Sequence, residues 1–222
     1  MCAIEAGKRG RKVIVLEHAD KVGMKILISG GGRCNFTNTN TQPECFISEN
    51  PHFCKSALAR YTAGDFISLV EKHNIKYHEK KLGQLFCDDS AKEIVNMLLD
   101  ECRDAGVEVK TNSIVRKINK ENEFNVLTND DEYISDSLVI ATGGVSIPKM
   151  GATDFGYNRA KQFGISLTDI KPGLVPLTFN KWKFSDLSGV SIDTEVSCNS
   201  MSFRENILFT HNGLSGPAIL QI

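Results

Sequence analysis

No apolar run in the sequence approaches the roughly 18 to 20 residues that a membrane span needs, and its N-terminus lacks an apolar core followed by a small-residue cleavage site. A membrane partner is not expected, and the cytoplasm is the default compartment. An excess of positive charge is also missing. There are 26 Lys and Arg against 27 Asp and Glu, a formal net charge of -1, and the lysines are scattered rather than striped along one face. That balance predicts no nucleic-acid partner. The seven cysteines form neither a CxxC pair nor a regular ladder, which is the usage of a reducing compartment. Cys45, His52 and Cys54 lie near one another, but their spacing matches no standard zinc knuckle and a fourth ligand is missing. No metal site is expected. Internal repeats and low-complexity tracts are absent as well.

What remains is an ordinary globular composition: 222 residues, 41% of them hydrophobic, enough for one α/β domain and part of another. The opening segment 1–9 reads as a helix stopped by Gly10, followed by a β-branched strand over 12–17. A glycine-rich loop comes next, then helices near 55–62 and 65–73 with Phe66, Leu69 and Val70 at helical spacing. A short strand at 84–87 precedes Asp88-Asp89-Ser90, which caps a helix whose Ile94, Met97, Leu98 and Cys102 form one apolar face. Gly106 ends that helix, and 107–110 alternate as a strand. Three close β segments, 113–118, 123–128 and 132–134, predict an antiparallel meander. Leu138 to Ala141 reads as a second fully apolar strand, and 154–163 as a helix ending at Gly164. From Lys171-Pro172-Gly173 onward the texture changes to strands without intervening helices, at 174–179, 189–197 and 203–210. The expected division is therefore 1–173 and 174–222. Pro217 sits in the first turn of a final helix.

The chemistry concentrates in three places. Glu17 closes the first apolar strand, where a dinucleotide-binding unit places an acid that accepts hydrogen bonds from ribose hydroxyls, roughly 20 residues after a glycine-rich turn. Counting back from Glu17 puts that turn just before Met1. The cluster Ser29-Gly30-Gly31-Gly32-Arg33-Cys34-Asn35 combines bare backbone amides with a guanidinium, a combination suited to a pyrophosphate. Ala141-Thr142-Gly143-Gly144 ends the second apolar run, where a doubly wound sheet opens its ligand crevice. The following 146–153 segment is a further candidate for the flavin side. Together these point to a nucleotide cofactor. Ser215 with His211 invites a hydrolase reading, but Pro217 occupies the second glycine position of a nucleophile elbow, and a base four residues from the serine is not how triads are assembled.

The strings at 28–38 (ISGGGRCNFTN), 83–87 (GQLFC), 141–144 (ATGG), 151–157 (GATDFGY) and 210–218 (THNGLSGPA) together resemble the BaiN/RdsA-type family of NAD(P)/FAD-dependent oxidoreductases. The resemblance covers nearly the whole chain. It implies a glutathione-reductase-type FAD-binding domain, with a parallel sheet and a small antiparallel meander, followed by the start of a β-rich inserted domain for substrate. By the same resemblance Glu17 binds the adenosine ribose, Ser29 to Asn35 lie along the cofactor and the backbone near Val115 abuts adenine; Ala141 to Gly144, read above as opening the ligand crevice, are counted with them as cofactor-binding candidates. Relative to that family, the first strand with its glycine-rich loop would precede Met1 and the closing segment would follow Ile222. FAD is the implied cofactor, NAD(P)H the electron donor and a small organic molecule, such as an enone, the acceptor. No catalytic residue is assigned; His211, Cys34 and Tyr157 are candidate proton donors. Two alternatives stand beside this reading: a fragment that binds no cofactor, and a nicotinamide-only dehydrogenase.

Overall fold

The computed structural model describes residues 1–222, which form two compact units, Met1–Gly156 and Tyr157–Ile222. In the first unit, α1 (Cys2–Lys8) leads to β1 (Ile14–Leu16), with Gly10 at φ 75° turning the chain between them. A short helix, α2 (Met24–Ile28), runs into the glycine cluster, and β2 (Asn35–Asn38) follows. Next come α3 (Lys55–Arg60), α4 (Ala63–Lys72), β3 (Tyr77–Glu79), β4 (Gln84–Cys87) and α5 (Ala91–Asp104). The unit continues with β5 (Glu108–Lys110) and the meander β6 (Lys117–Lys120), β7 (Phe124–Leu127) and β8 (Glu132–Ser135).

β1 and β5 pair in parallel, Ile14 with Glu108 through Leu16 with Lys110. Strands β2, β4 and β3 form an antiparallel sheet in that order, and β6, β7 and β8 form another. The main core lies where α4 and α5 meet the β2-β4-β3 sheet: Val70, Ile75, Cys87, Ala91, Ile94 and Met97 are buried together with Cys34. Capping boxes start both helices. Thr62 and Asp65 exchange bonds at the head of α4, and Ser90 and Glu93 do so at α5. In the meander Ile118 and Val126 point inward, and Lys110 ties β5 to it through Tyr133 at 3.0 Å and Asp131 at 3.3 Å.

The apolar run 138–141 takes part in no sheet, and Val139 is 62% exposed. This corrects the expectation of a second strand. An all-apolar strand is stable when neighbours satisfy its backbone and bury both faces; β1 pairs only with β5, and nothing is laddered to 138–141. The first meander strand also begins later than expected, at Lys117, because Ile114 is instead bonded to the side chain of Asn129 at 2.7 Å.

The second unit takes up from within α6 (Phe155–Gln162) and contains a four-stranded antiparallel sheet in the order β10-β11-β12-β9. These strands are β9 (Leu177–Thr178), β10 (Ser191–Cys198), β11 (Met201–Thr210) and β12 (Gly213–Ser215), and α7 (Pro217–Gln221) follows. Gly213 pairs with Thr178, and a Cβ there would stand 2.0 Å from the Leu177 carbonyl oxygen, so only glycine fits the junction.

One charged group is buried in the first unit's core. Glu101 of α5 is 1% exposed and accepts from Lys72 at 2.5 Å, Lys8 at 2.8 Å and His73 at 2.9 Å. It thereby joins α1, α4 and α5. The Lys72 bond, then those of Lys8 and His73, hold its carboxyl down from 4.5 to about 2, against the opposing effect of burial. A carboxylate depressed in the fold stabilises it above its unfolded value and ceases to do so as pH falls through its folded one. Glu101→Gln is therefore expected to lower the unfolding free energy by about 2 to 3 kcal/mol at neutral pH. In urea titrations the gap between parent and variant should hold down to about pH 5 and shrink toward pH 2; a gap independent of pH would contradict this role.

Candidate functional site

The candidate site residues belong to the first unit, and Glu17 stands at the carboxyl end of β1. The Glu17 N–H donates to the Lys110 carbonyl at 2.8 Å, and the Glu17 carbonyl accepts from the Ser113 N–H at 2.9 Å. Asn112 N–H donates to the Ala19 carbonyl at 2.9 Å. The segment leading to Val115 is thus stitched alongside Glu17. The Glu17 side chain is half-buried; its Oε1 accepts from the Ala19 N–H at 2.9 Å and lies 3.0 Å from His18 Nδ1, while Oε2 has no partner.

The glycine cluster is a left-handed turn. Gly30, Gly31 and Gly32 have φ of 57°, 68° and 86°, and the N–H groups of Arg33 and Cys34 both close onto the Ser29 carbonyl. The glycines differ in their surroundings. A Cβ on Gly30 would lie 2.6 Å from the Phe86 ring and 2.9 Å from the Asn35 nitrogen, whereas one on Gly31 would meet nothing within 4 Å. The Arg33 guanidinium is exposed and bonds to no protein group. Ser29 spends its hydroxyl hydrogen on the Ile26 carbonyl at 2.8 Å, and the Asn35 side chain faces the strand carbonyls of Thr37 and Leu85, to which its amide donates when the nitrogen is turned toward them. Cys34 is buried in the core, and burial pushes its thiol up; it anchors the turn as a small hydrophobe.

The third segment lies against the same elements. Lys25 of α2 donates to the Ser146 hydroxyl at 3.0 Å and would lie 3.9 Å from a Cβ on Gly143. Thr142 Oγ1 would stand 3.2 Å from a Cβ on Gly156, at the start of α6. Gly151, at φ 80°, closes on His18, whose Nε2 would be 2.7 Å from an added Cβ. Ala141, Thr142 and Gly143 are exposed, and Gly144 is half-buried. The contacts made by His18 and Lys25 were not anticipated from sequence; they join the Glu17 end of β1 and helix α2 to the 142–151 loop. A shallow groove of about 250 Å³ lies elsewhere, lined by Phe36, Leu58, Tyr61 and Phe66 among others, and shares none of these residues.

Other candidates separate from this group. Ser215 ends β12 opposite Leu208, while His211 sits in the hairpin turn after β11 and makes no bond to it. The thiols of Cys45 and Cys54 point to the backbone carbonyls of Asn40 and Pro43, each at 3.7 Å, and no cluster of three or more His, Cys, Asp or Glu is arranged to hold a metal. All seven cysteines are free.

Residues 1–212 match the model of the HI0933-like protein Rossmann domain family. The chain belongs to that family. The resemblance read from the strings at 28–38 and 210–218 therefore stands, as does the α/β fold class with its parallel pairing, meander and β-rich second part. The chain is 51% identical over 226 residues to the ribosomal RNA dihydrouridine synthase of Escherichia coli (strain K12), covering all of this chain and 56% of that protein. It is 47% identical over 230 residues to the protein of the same name from Haemophilus influenzae (strain ATCC 51907 / DSM 11121 / KW20 / Rd), again covering all of this chain and 57% of that protein. A 3-dehydro-bile acid delta(4,6)-reductase from Clostridium scindens (strain ATCC 35704 / DSM 5676 / VPI 13733 / 19) is 27% identical over 218 residues, 95% of this chain and 53% of that protein. The chain thus spans about half the length of these relatives.

The two glycines give a direct check on the turn. Gly30→Ala must displace a ring and a backbone nitrogen as well as adopt a left-handed φ, and is expected to cost about 2 to 4 kcal/mol. Gly31→Ala carries only the left-handed strain, about 1 to 2 kcal/mol. Equal losses in chemical denaturation would contradict the described geometry.

Proposed function

We propose that this chain is the cofactor-binding portion of a flavin-dependent oxidoreductase that uses NAD(P)H to reduce a carbon–carbon double bond conjugated with a carbonyl, with uridine in ribosomal RNA as the substrate. The observation that carries the reading is the pairing, within one unit, of an acid closing β1 whose Oε2 is free with an unpaired arginine on a left-handed glycine turn. These residues fit an adenine dinucleotide. Glu17 would accept from the ribose hydroxyls, Arg33 would donate to the diphosphate, and Gly31 leaves space where any side chain would stand. The backbone near Val115 and the exposed 141–144 segment would complete the cradle. Bound FAD would supply hydride transfer between a nicotinamide and an organic acceptor.

Two relatives support this substrate class. Making dihydrouridine saturates a ring double bond conjugated with a carbonyl, and a delta(4,6)-reductase of a 3-dehydro acid does the same in a steroid. Ribosomal RNA thus takes the place of a small-molecule acceptor, and the expectation of no nucleic-acid partner, which rested on a whole-chain charge of -1, is not kept. Such a reduction needs a proton as well as a hydride. Cys34 is buried and packed, so Tyr157, half-buried, and His211, exposed, remain the candidate donors. No helix is long and apolar enough to cross a membrane, and with every thiol free the cytoplasm is the proposed compartment.

A second reading, a chain that holds no cofactor, is favoured by the unladdered 138–141 run with its exposed Val139. Flavin titration separates the two. The chain is expected to quench FAD fluorescence saturably, and Glu17→Ala to weaken FAD binding about tenfold or more, the loss of a charged hydrogen bond. FMN affinity should not respond to that change, because FMN has no adenosine ribose; Arg33→Ala should weaken FAD to a similar extent. Unchanged FAD affinity in Glu17→Ala overturns the assignment. With FAD and NAD(P)H supplied, ribosomal RNA should gain two hydrogens on a uridine by mass spectrometry, and its failure to do so removes the substrate.

A further inference from the structure

The second unit carries an aromatic cluster at its surface. Phe179 and Trp182 stack at 5.1 Å with ring planes 16° apart, and Phe184 meets Trp182 edge-on at 5.3 Å and 74°. Phe209 of β11 supports both Trp182 and Phe184. Phe179 is 46% exposed and Phe184 51%. The indole is not free to rotate, because its Nε1 donates to the Thr210 carbonyl at 2.9 Å. These rings come from one short segment, Phe179-Asn180-Lys181-Trp182-Lys183-Phe184, in which two exposed lysines alternate with aromatics. Neither lysine has a carboxylate partner, although Asp186 lies just downstream.

We propose that this segment is a stacking platform for an unpaired base of single-stranded RNA, with Lys181 and Lys183 meeting the flanking phosphates. The inference rests on the ribosomal RNA reading and names the surface that would engage that partner. Rings held by one another and by the hairpin lose little freedom on binding, and an exposed aromatic face accepts any nucleobase. A duplex hides its base faces, so a platform of this kind favours single strands. Free ammonium groups beside the rings supply the counter-charge that the chain as a whole lacks.

Trp182 is the single tryptophan of the chain and reports on the cluster. The chain is titrated with a short single-stranded oligouridylate at low salt, following Trp182 emission and, in parallel, the anisotropy of labelled RNA. Saturable quenching is expected, with duplex RNA of equal length binding about tenfold more weakly. The double variant Lys181→Glu/Lys183→Glu should weaken single-strand binding about tenfold or more and reduce the salt dependence by about 1.4 in log–log slope, two phosphate contacts at about 0.7 each. Phe184→Ala should weaken it several-fold; where that variant fails to fold by circular dichroism, the lysine pair alone decides, since it alters only exposed charges. RNA binding with no change in Trp182 emission, or with parental affinity in the lysine pair, overturns the platform. Emission that shifts with protein concentration and not with RNA overturns it in favour of a second copy. Because FAD binding is read separately, loss of RNA binding with flavin retained removes only the platform, and flavin failure with RNA binding intact removes only the reductase reading.

Discussion

Three residue pairs of parallel ladder between β1 and β5 determine where Glu17 and the 112–115 segment stand. The ladder ends at Leu16 and Lys110, and the next bonds in register, Glu17 to Lys110 and Ser113 to Glu17, carry the chain past the sheet edge. An acid at that point is held by its own backbone on both sides, so its carboxylate is aimed without needing a side-chain partner for each oxygen. The same bonds bring 112–115 beside it. Were β1 to slip by one residue, Glu17 would turn to the opposite face, and both relationships would be lost together.

Around that ladder the unit is braced by a few strong anchors rather than by a large parallel sheet. Glu101 gathers cations from α1 and α4 at the base of α5, and Gly7 lets α1 close on Ala105 at the end of that helix. Cys34 fixes one end of the glycine turn in the core, while Lys25 bonds to Ser146 of the 142–151 loop and Gly151 closes on His18. The exposed Arg33 guanidinium and the half-buried Glu17 carboxylate are thus mounted on buried or bonded neighbours.

Much of the fold was legible because its signals are local. Gly10 and Gly106 stop α1 and α5 at positive φ, Ser90 caps α5, and Pro217 opens α7, each a matter of one residue's backbone or side chain. What could not be read depends on partners far away in sequence. Helix α2 is only five residues long and begins at Gly23 rather than at a capping side chain; β2, with the polar sequence Asn-Phe-Thr-Asn, is a strand because β4 pairs with it; and β12 exists between β9 and β11. The 138–141 run shows the converse, full strand propensity without a neighbour. Nothing local in the sequence marks Glu101 as buried, since Lys8, Lys72 and His73 lie between 28 and 93 residues from it. In the site, Glu17 and the glycine cluster were visible as motifs, Val115 only through family resemblance, and the bracing by His18 and Lys25 not at all.

The central claim is that Glu17 and Arg33 grip two parts of one adenine nucleotide. A crystal structure of the chain with ADP-ribose tests it most directly. The account predicts the adenosine ribose hydroxyls within hydrogen-bond distance of the Glu17 carboxylate and the diphosphate against the Arg33 guanidinium of the same molecule. A nucleotide bound to one of these residues with the other facing away from it, or bound to neither, would contradict the account.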